Sequence, residues 1–187
     1  FDYGSLSLKK VSDYPGKVFG DHIFMDGDSV LYIGGGFTKS SNTYNKEFWK
    51  FSLRSQVWTR LNDLPGNTCH TNEFTVIGRN YAVFTDGSTF EYDPVTDTWS
   101  PRARYPGRWS RFKVDAECGG LVYMGYGDVS SENTLKRYNP LTDNWTDLGS
   151  TINRTNFYFY FSLDDKLYIG GGYNQVDMWM YEPGYIY

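Results

Sequence analysis

A short apolar stretch that ends in glycines occurs twice almost unchanged, and this repeat constrains the fold more than any other feature. Residues 30–36 read VLYIGGG and residues 166–172 read KLYIGGG. Two weaker copies lie between them, YAVFTDG at residues 81–87 and LVYMGYG at residues 121–127. Recurrence at this spacing predicts an array of similar structural units.

Two further markers recur in phase with this stretch. Successive copies end 51, 40 and 45 residues apart, and Trp58, Trp99 and Trp145 are separated by 41 and 46 residues. A Pro-Gly pair preceded by Tyr or Leu occurs at residues 14–16, 64–66 and 105–107. Because three independent markers agree, we interpret the chain as a series of near-copies of one unit.

The composition and the pattern inside each period favour β-strands. Aromatic residues make up 19% of the 187 residues, and alanine occurs only at positions 82, 103 and 116. Aromatic side chains suit a pleated surface, whereas good helix formers are scarce here. The second period divides into strands at 73–77, 81–84 and 89–92 and a fourth that starts near Trp99. The pattern predicts an all-β fold of four-stranded antiparallel sheets.

A single sheet of this kind cannot bury its large aromatic side chains on both faces. Stacking each sheet on the next copy covers them, and radial repetition leaves only short edges. The tryptophan of each fourth strand is expected to fill the wedge between adjacent sheets. The sequence therefore predicts a β-propeller.

The repeated motifs resemble kelch repeats. They are the Gly-Gly after a Tyr-Ile strand, the Tyr-Asp-Pro-x-Thr-x-x-Trp segment at 92–99, its partner at 138–145, and the Pro-Gly before each new inner strand. The segment from Phe90 to Gly107 is especially similar to bacterial kelch-repeat proteins of the Bacteroidetes type. The resemblance covers nearly the whole chain and implies a kelch-type propeller on a secreted, cell-surface or periplasmic bacterial protein.

The markers divide the chain into one propeller region with about four blades. We predict a partial blade at 1–14, full blades at 15–61, 62–102 and 103–148, and a blade lacking its last strand at 149–187. Kelch propellers that resemble this one usually have six or seven blades. We therefore expect a piece of a larger ring, completed by missing blades or another chain. A complete four-bladed ring is the alternative.

Several functional classes are disfavoured by composition. The net charge is −4, the pI is about 5.1, and no basic stripe stands out, so we expect no nucleic-acid partner. No apolar run approaches the roughly 20 residues of a membrane-spanning helix. Neither histidine stands at a metal-ligand spacing, and Cys69 and Cys118 are expected to remain unpaired thiols. We predict no metal, no cofactor and no transmembrane segment.

One face of the predicted propeller collects the candidate site residues. Loops leading into the inner strands, and loops between second and third strands, share this face. An indole can stack on a sugar ring, and guanidinium groups bind carboxylates or vicinal hydroxyls in bidentate fashion. Arg154 occupies the position in the next repeat that corresponds to 108–111. The predicted ligand-binding residues are Phe37, His70, Arg108, Trp109, Arg111, Tyr126, Arg154 and Tyr173.

These residues support a non-catalytic binding module for a glycan or a protein. One alternative is a sugar mutarotase, because a bacterial kelch family of similar repeat pattern interconverts sialic acid anomers. That chemistry needs an acid/base carboxylate near an arginine, for which Glu73 with Arg111 or Arg154 is the nearest set. A second alternative is a scaffold for partner proteins. The copper site of galactose oxidase, which shares the kelch architecture, has no counterpart in this sequence.

Overall fold

The computed structural model describes residues 8–16, 22–27, 29–38, 41–66, 71–108, 114–127, 133–150, 157–172 and 176–183. Every helix or strand assigned within these ranges is a β-strand. The expectation of an all-β fold is confirmed.

Within the described ranges, the strands form three four-stranded sheets, one three-stranded sheet and a separate two-stranded hairpin. Sheet 1 begins with β1 (His22–Asp26) and β2 (Val30–Gly34), continues after the hairpin of β3 (Phe37–Thr38) and β4 (Thr43–Tyr44), and ends with β5 (Phe48–Ser52) and β6 (Val57–Leu61). Sheet 2 contains β7 (Thr71–Val76), β8 (Arg79–Phe84), β9 (Thr89–Asp93) and β10 (Thr98–Arg102). Sheet 3 contains β11 (Val114–Cys118), β12 (Leu121–Gly125), β13 (Leu135–Asn139) and β14 (Asn144–Asp147). Sheet 4 contains β15 (Phe159–Leu163), β16 (Lys166–Gly170) and β17 (Met178–Tyr181).

Each sheet is an antiparallel meander, in which every strand pairs with the next strand of that sheet along the chain. The prediction of four-stranded antiparallel sheets is confirmed for sheets 1 to 3. The strands of each sheet lie inside one of the predicted blade segments, while the segment boundaries themselves stay predictions.

Polar side chains fix the tight turns between third and fourth strands. Asp93 Oδ1 accepts the backbone N–H of Val95 at 2.8 Å, and Asn139 Oδ1 accepts that of Leu141 at 2.9 Å. Asp97 and Asp143 close these turns with positive φ angles of 52° and 48°. Asp and Asn tolerate this left-handed conformation better than most residues, which explains their place in the repeat.

Successive sheets stack face to face. We call the face of a sheet that meets the next sheet its forward face, and the opposite one its backward face. Between sheets 1 and 2 the forward face contributes Phe24, Tyr32 and Phe48, and the backward face contributes Ala82, Phe84 and Tyr92. Between sheets 2 and 3 the corresponding groups are Phe74, Val76 and Tyr81, and Val122, Met124 and Tyr138. Between sheets 3 and 4 they are Val114, Ala116 and Tyr123, and Leu167, Ile169 and Tyr181.

This stacking supplies most of the buried apolar surface. The side chains of Phe48, Tyr81, Tyr123 and Tyr138 have no measurable exposure. Burying a side chain of this size stabilises the folded state by roughly 1.5–3 kcal/mol relative to leaving it in water. Because each core cluster needs residues from two sheets, each sheet depends on its neighbour for stability.

Two of the three repeated tryptophans, Trp99 and Trp145, lie where two sheets meet, as predicted. The ring of Trp99 is 4.8 Å from that of Tyr92 in its own sheet and 5.3 Å from that of Phe48 in sheet 1, measured between centroids. Trp145 packs on Tyr138 and on Tyr105 of the linker that precedes sheet 3. Its indole N–H donates to the carbonyl of Ala103 at 3.0 Å, so the tryptophan also holds the linker.

The two outermost faces of the array differ. Residues Val11 to Tyr14 cover part of the backward face of sheet 1, where Trp58 Nε1–H donates to Ser12 Oγ at 3.0 Å and Tyr14 packs on Trp58. The forward face of sheet 4 is exposed and apolar, with Phe159, Phe161, Leu163, Met178 and Met180 each between 41% and 59% accessible.

Candidate functional site

The strand register brings the strand ends that flank the predicted loops to one end of each sheet. In sheet 1, His22 at the start of β1 pairs with Gly34 at the end of β2, so the chain enters β1 and leaves β2 at the same end of the sheet. The same holds in sheet 3, where Val114 pairs with Gly125, and in sheet 4, where Phe159 pairs with Gly170. We call this end of the array the loop face.

A hairpin projects from the loop face of sheet 1. Strands β3 and β4 pair Phe37 with Tyr44 and Thr38 with Thr43. The rings of Phe37 and Tyr44 lie 5.3 Å apart, and 37% and 53% of their surfaces remain exposed. Two neighbouring aromatic rings in water form a surface on which a ligand can bury apolar area.

The base of this hairpin is held by hydrogen bonds to the sheet. Asn45 N–H donates to the carbonyl of Gly36 at 2.9 Å, and Asn45 Nδ2 donates to that of Gly35 at 3.3 Å. Gly35 N–H in turn donates to the carbonyl of Glu47 at 3.0 Å. The triple glycine of the repeat therefore serves here as the anchor of an aromatic hairpin.

Polar side chains of the inner strands meet near the same face. Asp115, the second residue of β11, accepts a hydrogen bond from Asn72 Nδ2 on β7 at 2.5 Å and one from the hydroxyl of Tyr160 on β15. Burial and the negative charge of Asp115 raise the pKa of Tyr160 above its usual value. The inner strands of three successive sheets are thus joined side by side through one carboxylate.

The loop of sheet 2 on this face is ordered by Asp86. Its Oδ1 accepts the backbone N–H of Ser88 at 2.8 Å and the hydroxyl of Ser88 at 2.6 Å, and Arg104 donates to its carbonyl. The hydrogen bonds from Ser88 hold the pKa of Asp86 below its usual value. Because the carboxylate and the backbone carbonyl of Asp86 are both hydrogen-bonded within the chain, they hold this loop of the loop face in place.

The structure places three of the predicted site residues. Phe37 lies exposed on the loop face, and Arg108 is also exposed. Tyr126 differs from the prediction, because its side chain is fully buried and packs edge-on against Phe157 at 5.3 Å. The backbone of Tyr126 has a φ angle of +53°, and its ring lies in the core between sheets 3 and 4. Tyr126 is therefore a packing residue.

The other predicted site residues lie outside the described residues. They are His70, Trp109, Arg111, Arg154 and Tyr173, and their assignment to a site stays a prediction. Glu73, the carboxylate considered for mutarotase chemistry, is half-buried on β7. It follows Asn72 directly, so the two side chains point to opposite faces of sheet 2. Asp115 and Tyr160 were not predicted, since nothing in the sequence shows which inner-strand residues meet across sheets.

Metal-ligand clusters and reactive thiols are two other kinds of group that could carry chemistry. No cluster of three or more His, Cys, Asp or Glu side chains suited to a metal ion occurs in the described ranges. Cys118 is a buried free thiol whose pKa is raised by burial, while Cys69 lies outside the described ranges. Within the same ranges, no helix is long and apolar enough to cross a membrane.

Antiparallel meanders stacked face to face, with their first strands side by side and a tryptophan between sheets 1 and 2 and between sheets 2 and 3, define a propeller-type fold. The solved structure of YjhT shares it, with a TM-score of 0.63 and 16% identity over 80% of this chain and 58% of that chain. Residues 19–65 match the Kelch motif family. The fold is therefore a kelch-type β-propeller array.

Curated relatives carry the same repeat. The chain is 26% identical to Kelch-like protein 35 of Mus musculus over 163 residues, covering 82% of this chain and 27% of the relative. It is 28% identical to Kelch repeat and BTB domain-containing protein 12 of Homo sapiens over 184 residues, covering 79% and 29%. For Kelch repeat and BTB domain-containing protein 1 of vaccinia virus (strain Copenhagen), the values are 26% over 160 residues, covering 78% and 28%.

The chain is thus similar to kelch-repeat proteins of animals and poxviruses, and it spans less than a third of their length. The resemblance to kelch repeats is confirmed. The finer resemblance to bacterial proteins of the Bacteroidetes type stays a prediction.

Proposed function

We propose that this chain is a non-catalytic recognition module that binds a partner protein on its loop face. One observation carries the proposal: the β3–β4 hairpin holds two exposed aromatic rings, Phe37 and Tyr44, on that face. Aromatic side chains with few rotatable bonds are frequent anchors of protein interfaces. The similarity to Kelch-like and BTB-containing proteins agrees with a role in binding rather than in catalysis.

The hairpin is suited to this role because it is held rigidly at its base. Hydrogen bonds from Asn45 and Gly35 fix its position relative to sheet 1. A preorganised aromatic pair loses little conformational entropy when a ligand docks on it. Hydroxyl groups of Ser41 and Thr43 lie on the same hairpin and can satisfy backbone groups of a bound peptide.

A selection from a random peptide-display library tests this proposal whatever the partner is. Peptides enriched on the wild-type chain are expected to lose binding about tenfold or more on the double variant Phe37→Ala/Tyr44→Ala, since anchor truncations cost at least about 1.4 kcal/mol. The matched control is Val95→Ala, which also truncates an exposed apolar side chain but in the turn between β9 and β10. The proposal would be contradicted if the enriched peptides bound the double variant as tightly as the wild-type chain. It would also be contradicted if the chain bound glycans on an array and no peptide.

A second candidate is a sugar mutarotase, favoured by the Asp115 carboxylate between Asn72 and Tyr160. The Asp115 carboxylate can accept a proton from a sugar hydroxyl, and the hydroxyl of Tyr160 can donate one to the sugar. Proton NMR of freshly dissolved sialic acid is expected to show faster anomer exchange with the wild-type chain than with Asp115→Asn. Equal rates for both proteins reject this candidate and leave the recognition module unaffected.

A further inference from the structure

The exposed forward face of sheet 4 has the same residue positions that are buried at the contacts between sheets. The register pairs Phe161 on β15 with Tyr168 on β16, and it pairs Phe24 with Tyr32 at the same place in sheet 1. Phe24 and Tyr32 are each only 4% accessible, because sheet 2 covers them, whereas Phe161 is 43% accessible. The forward face of sheet 4 therefore has the composition of a contact face, although it is exposed.

Each buried tyrosine of a forward face packs on an aromatic ring of the next sheet. The ring centroids of Tyr32 and Tyr92 lie 5.6 Å apart, and those of Tyr123 and Tyr181 lie 5.5 Å apart. Tyr92 and Tyr181 belong to the third strands of their sheets and point backward. Tyr168 is the half-buried counterpart of Tyr32 and Tyr123. A sheet that covered Tyr168 in the same way would supply a third-strand aromatic ring from its backward face.

The backward face of sheet 1 carries such a ring. Phe51 on the third strand pairs with Leu31, and Tyr92 pairs with Asn80 at the same position in sheet 2. The ring of Phe51 lies 4.6 Å from the repeated tryptophan of its sheet, and the ring of Tyr92 lies 4.8 Å from its own. Phe51 is therefore the counterpart of Tyr92 on a face that points away from sheet 2.

An apolar cavity opens on this backward face. It has a volume of about 240 Å³, and its lining includes Leu31, Ile33, Phe51 and Trp58. The counterparts of Leu31 and Ile33 in sheets 3 and 4 are buried against the preceding sheet, and they are Val122, Met124, Leu167 and Ile169. The cavity thus lies where side chains of a preceding sheet pack at the contacts inside the chain.

Residues 11–14 leave this face able to accept another sheet. Tyr14 packs edge-on against Trp58 at 5.2 Å, and Tyr105 packs in the same way against Trp145 at 5.0 Å. Tyr105 belongs to the linker before sheet 3, yet it is part of the core between sheets 2 and 3. Residues 11–14 therefore occupy the place of a linker, which is compatible with a covering sheet.

We propose that copies of this chain associate head to tail, with the forward face of sheet 4 of one copy packed on the backward face of sheet 1 of another. Tyr168 of the first copy then meets Phe51 of the second, as Tyr32 meets Tyr92 inside the chain. A second copy is the occupant that the structure favours, because every chain carries both of the matching faces. Since the two faces differ, the contact is heterologous and leads to a closed ring or to a longer oligomer.

Sedimentation of the 187-residue chain over a roughly hundredfold range of concentration tests the proposal. The average mass is expected to rise from 21.6 kDa to at least twice that value. Phe161→Lys and Leu31→Lys each place a charge on one of the two faces, and each is expected to weaken association about tenfold or more. Val95→Lys is the control, because Val95 is 91% accessible in the turn between β9 and β10, and it is expected to associate like the wild type.

Mixing the two face variants tests the head-to-tail arrangement itself. The Phe161→Lys chain keeps an intact sheet 1 face and the Leu31→Lys chain keeps an intact sheet 4 face, so the mixture is expected to form a dimer and nothing larger. Both substitutions introduce lysine, so the recovery cannot come from pairing of opposite charges. A wild-type chain that stays monomeric at every concentration, or a mixture that stays monomeric, would overturn the proposal. Full dimerisation of the Leu31→Lys chain alone would also overturn it, since the sheet 4 faces would then meet each other.

Discussion

At the level of single residues, one aspartate in each tight turn between third and fourth strands joins that turn to the linker that precedes its sheet. The two aspartates are Asp97 in sheet 2 and Asp143 in sheet 3. Asp97 Oδ1 accepts the hydroxyl of Tyr92 at 3.0 Å, and its Oδ2 accepts the backbone N–H of Asn62 at 2.9 Å. Asp143 Oδ1 repeats the arrangement with Tyr138 at 2.8 Å and with the N–H of Ala103 at 2.8 Å. The Tyr-x-x-x-x-Asp spacing in the repeat is explained by this shared role.

We predict that Asp97→Ala destabilises the fold by about 1–3 kcal/mol, because the largely buried Tyr92 loses its hydrogen-bond acceptor. The free energy of unfolding in urea measures the effect. Asp13→Ala, which removes an exposed carboxylate paired with Lys10, is the control and is expected to change it by less than about 0.5 kcal/mol. Equal effects of the two substitutions would show that the turn does not depend on this bond.

Buried tyrosines make stability sensitive to alkaline pH. Burial raises the pKa of Tyr81 and of Tyr123 from 10.0 to about 12. Between these values the unfolded chain loses the phenolic proton and the folded chain keeps it. The free energy of unfolding is therefore expected to be unaffected by these groups below pH 10 and to fall as the pH rises from 10 to 12.

Urea unfolding at a series of alkaline pH values measures this fall. Tyr81→Phe is expected to reduce its slope, because one of the tyrosines with a raised pKa no longer titrates. A slope that is the same in the variant and the wild type would contradict the assignment to Tyr81.

At the level of strands and turns, glycines at the ends of the second strands allow close approach of the third. A Cβ atom on Gly125 would lie 2.1 Å from the carbonyl oxygen of Thr134 and 3.0 Å from Leu135 Cα. On Gly34 it would lie 2.7 Å from the carbonyl oxygen of Glu47. These glycines make room for the backbone of the same sheet, which explains why the repeated stretch ends in glycine.

Gly125→Ala is predicted to destabilise the chain by about 3 kcal/mol, since backbone atoms must shift to admit the methyl group. Gly149→Ala is the control. Gly149 has a φ angle of +74° but nothing within 4 Å of an added Cβ, so about 1 kcal/mol of backbone strain is expected there. Thermal unfolding compares the two, and a smaller loss for Gly125→Ala would refute the steric explanation.

The strands could be predicted from the sequence because alternation and turn residues are local signals. The β3–β4 hairpin could not, since the 13 residues between β2 and β5 have no counterpart of similar length in the other repeats. The sequence places Tyr126 in a loop between second and third strands, and hence on the loop face, but its ring lies in the core between sheets 3 and 4. The Asp115 contacts depend on how inner strands of different sheets are aligned, which no single repeat specifies.

Across the molecule, the same pair of faces meets at each contact between sheets. A forward face that carries a buried tyrosine meets a backward face that carries Trp99 or Trp145 at the first two contacts and Tyr181 at the third. The exposed forward face of sheet 4 is chemically like the three that are buried. A ring of six or seven blades, formed with further sheets, stays a prediction that agrees with this likeness.

The fold depends on each sheet being covered by the next one along the chain. Aromatic NOE spectroscopy on selectively labelled protein is the sharpest test of this arrangement. We predict cross-peaks between sheets for Phe48 with Tyr92, Tyr81 with Tyr138, and Tyr123 with Tyr181, whose ring centroids are 5.0, 5.6 and 5.5 Å apart. Absence of these cross-peaks in the folded chain, or cross-peaks that join sheet 1 to sheet 3 instead, would show that the sheets do not stack in chain order.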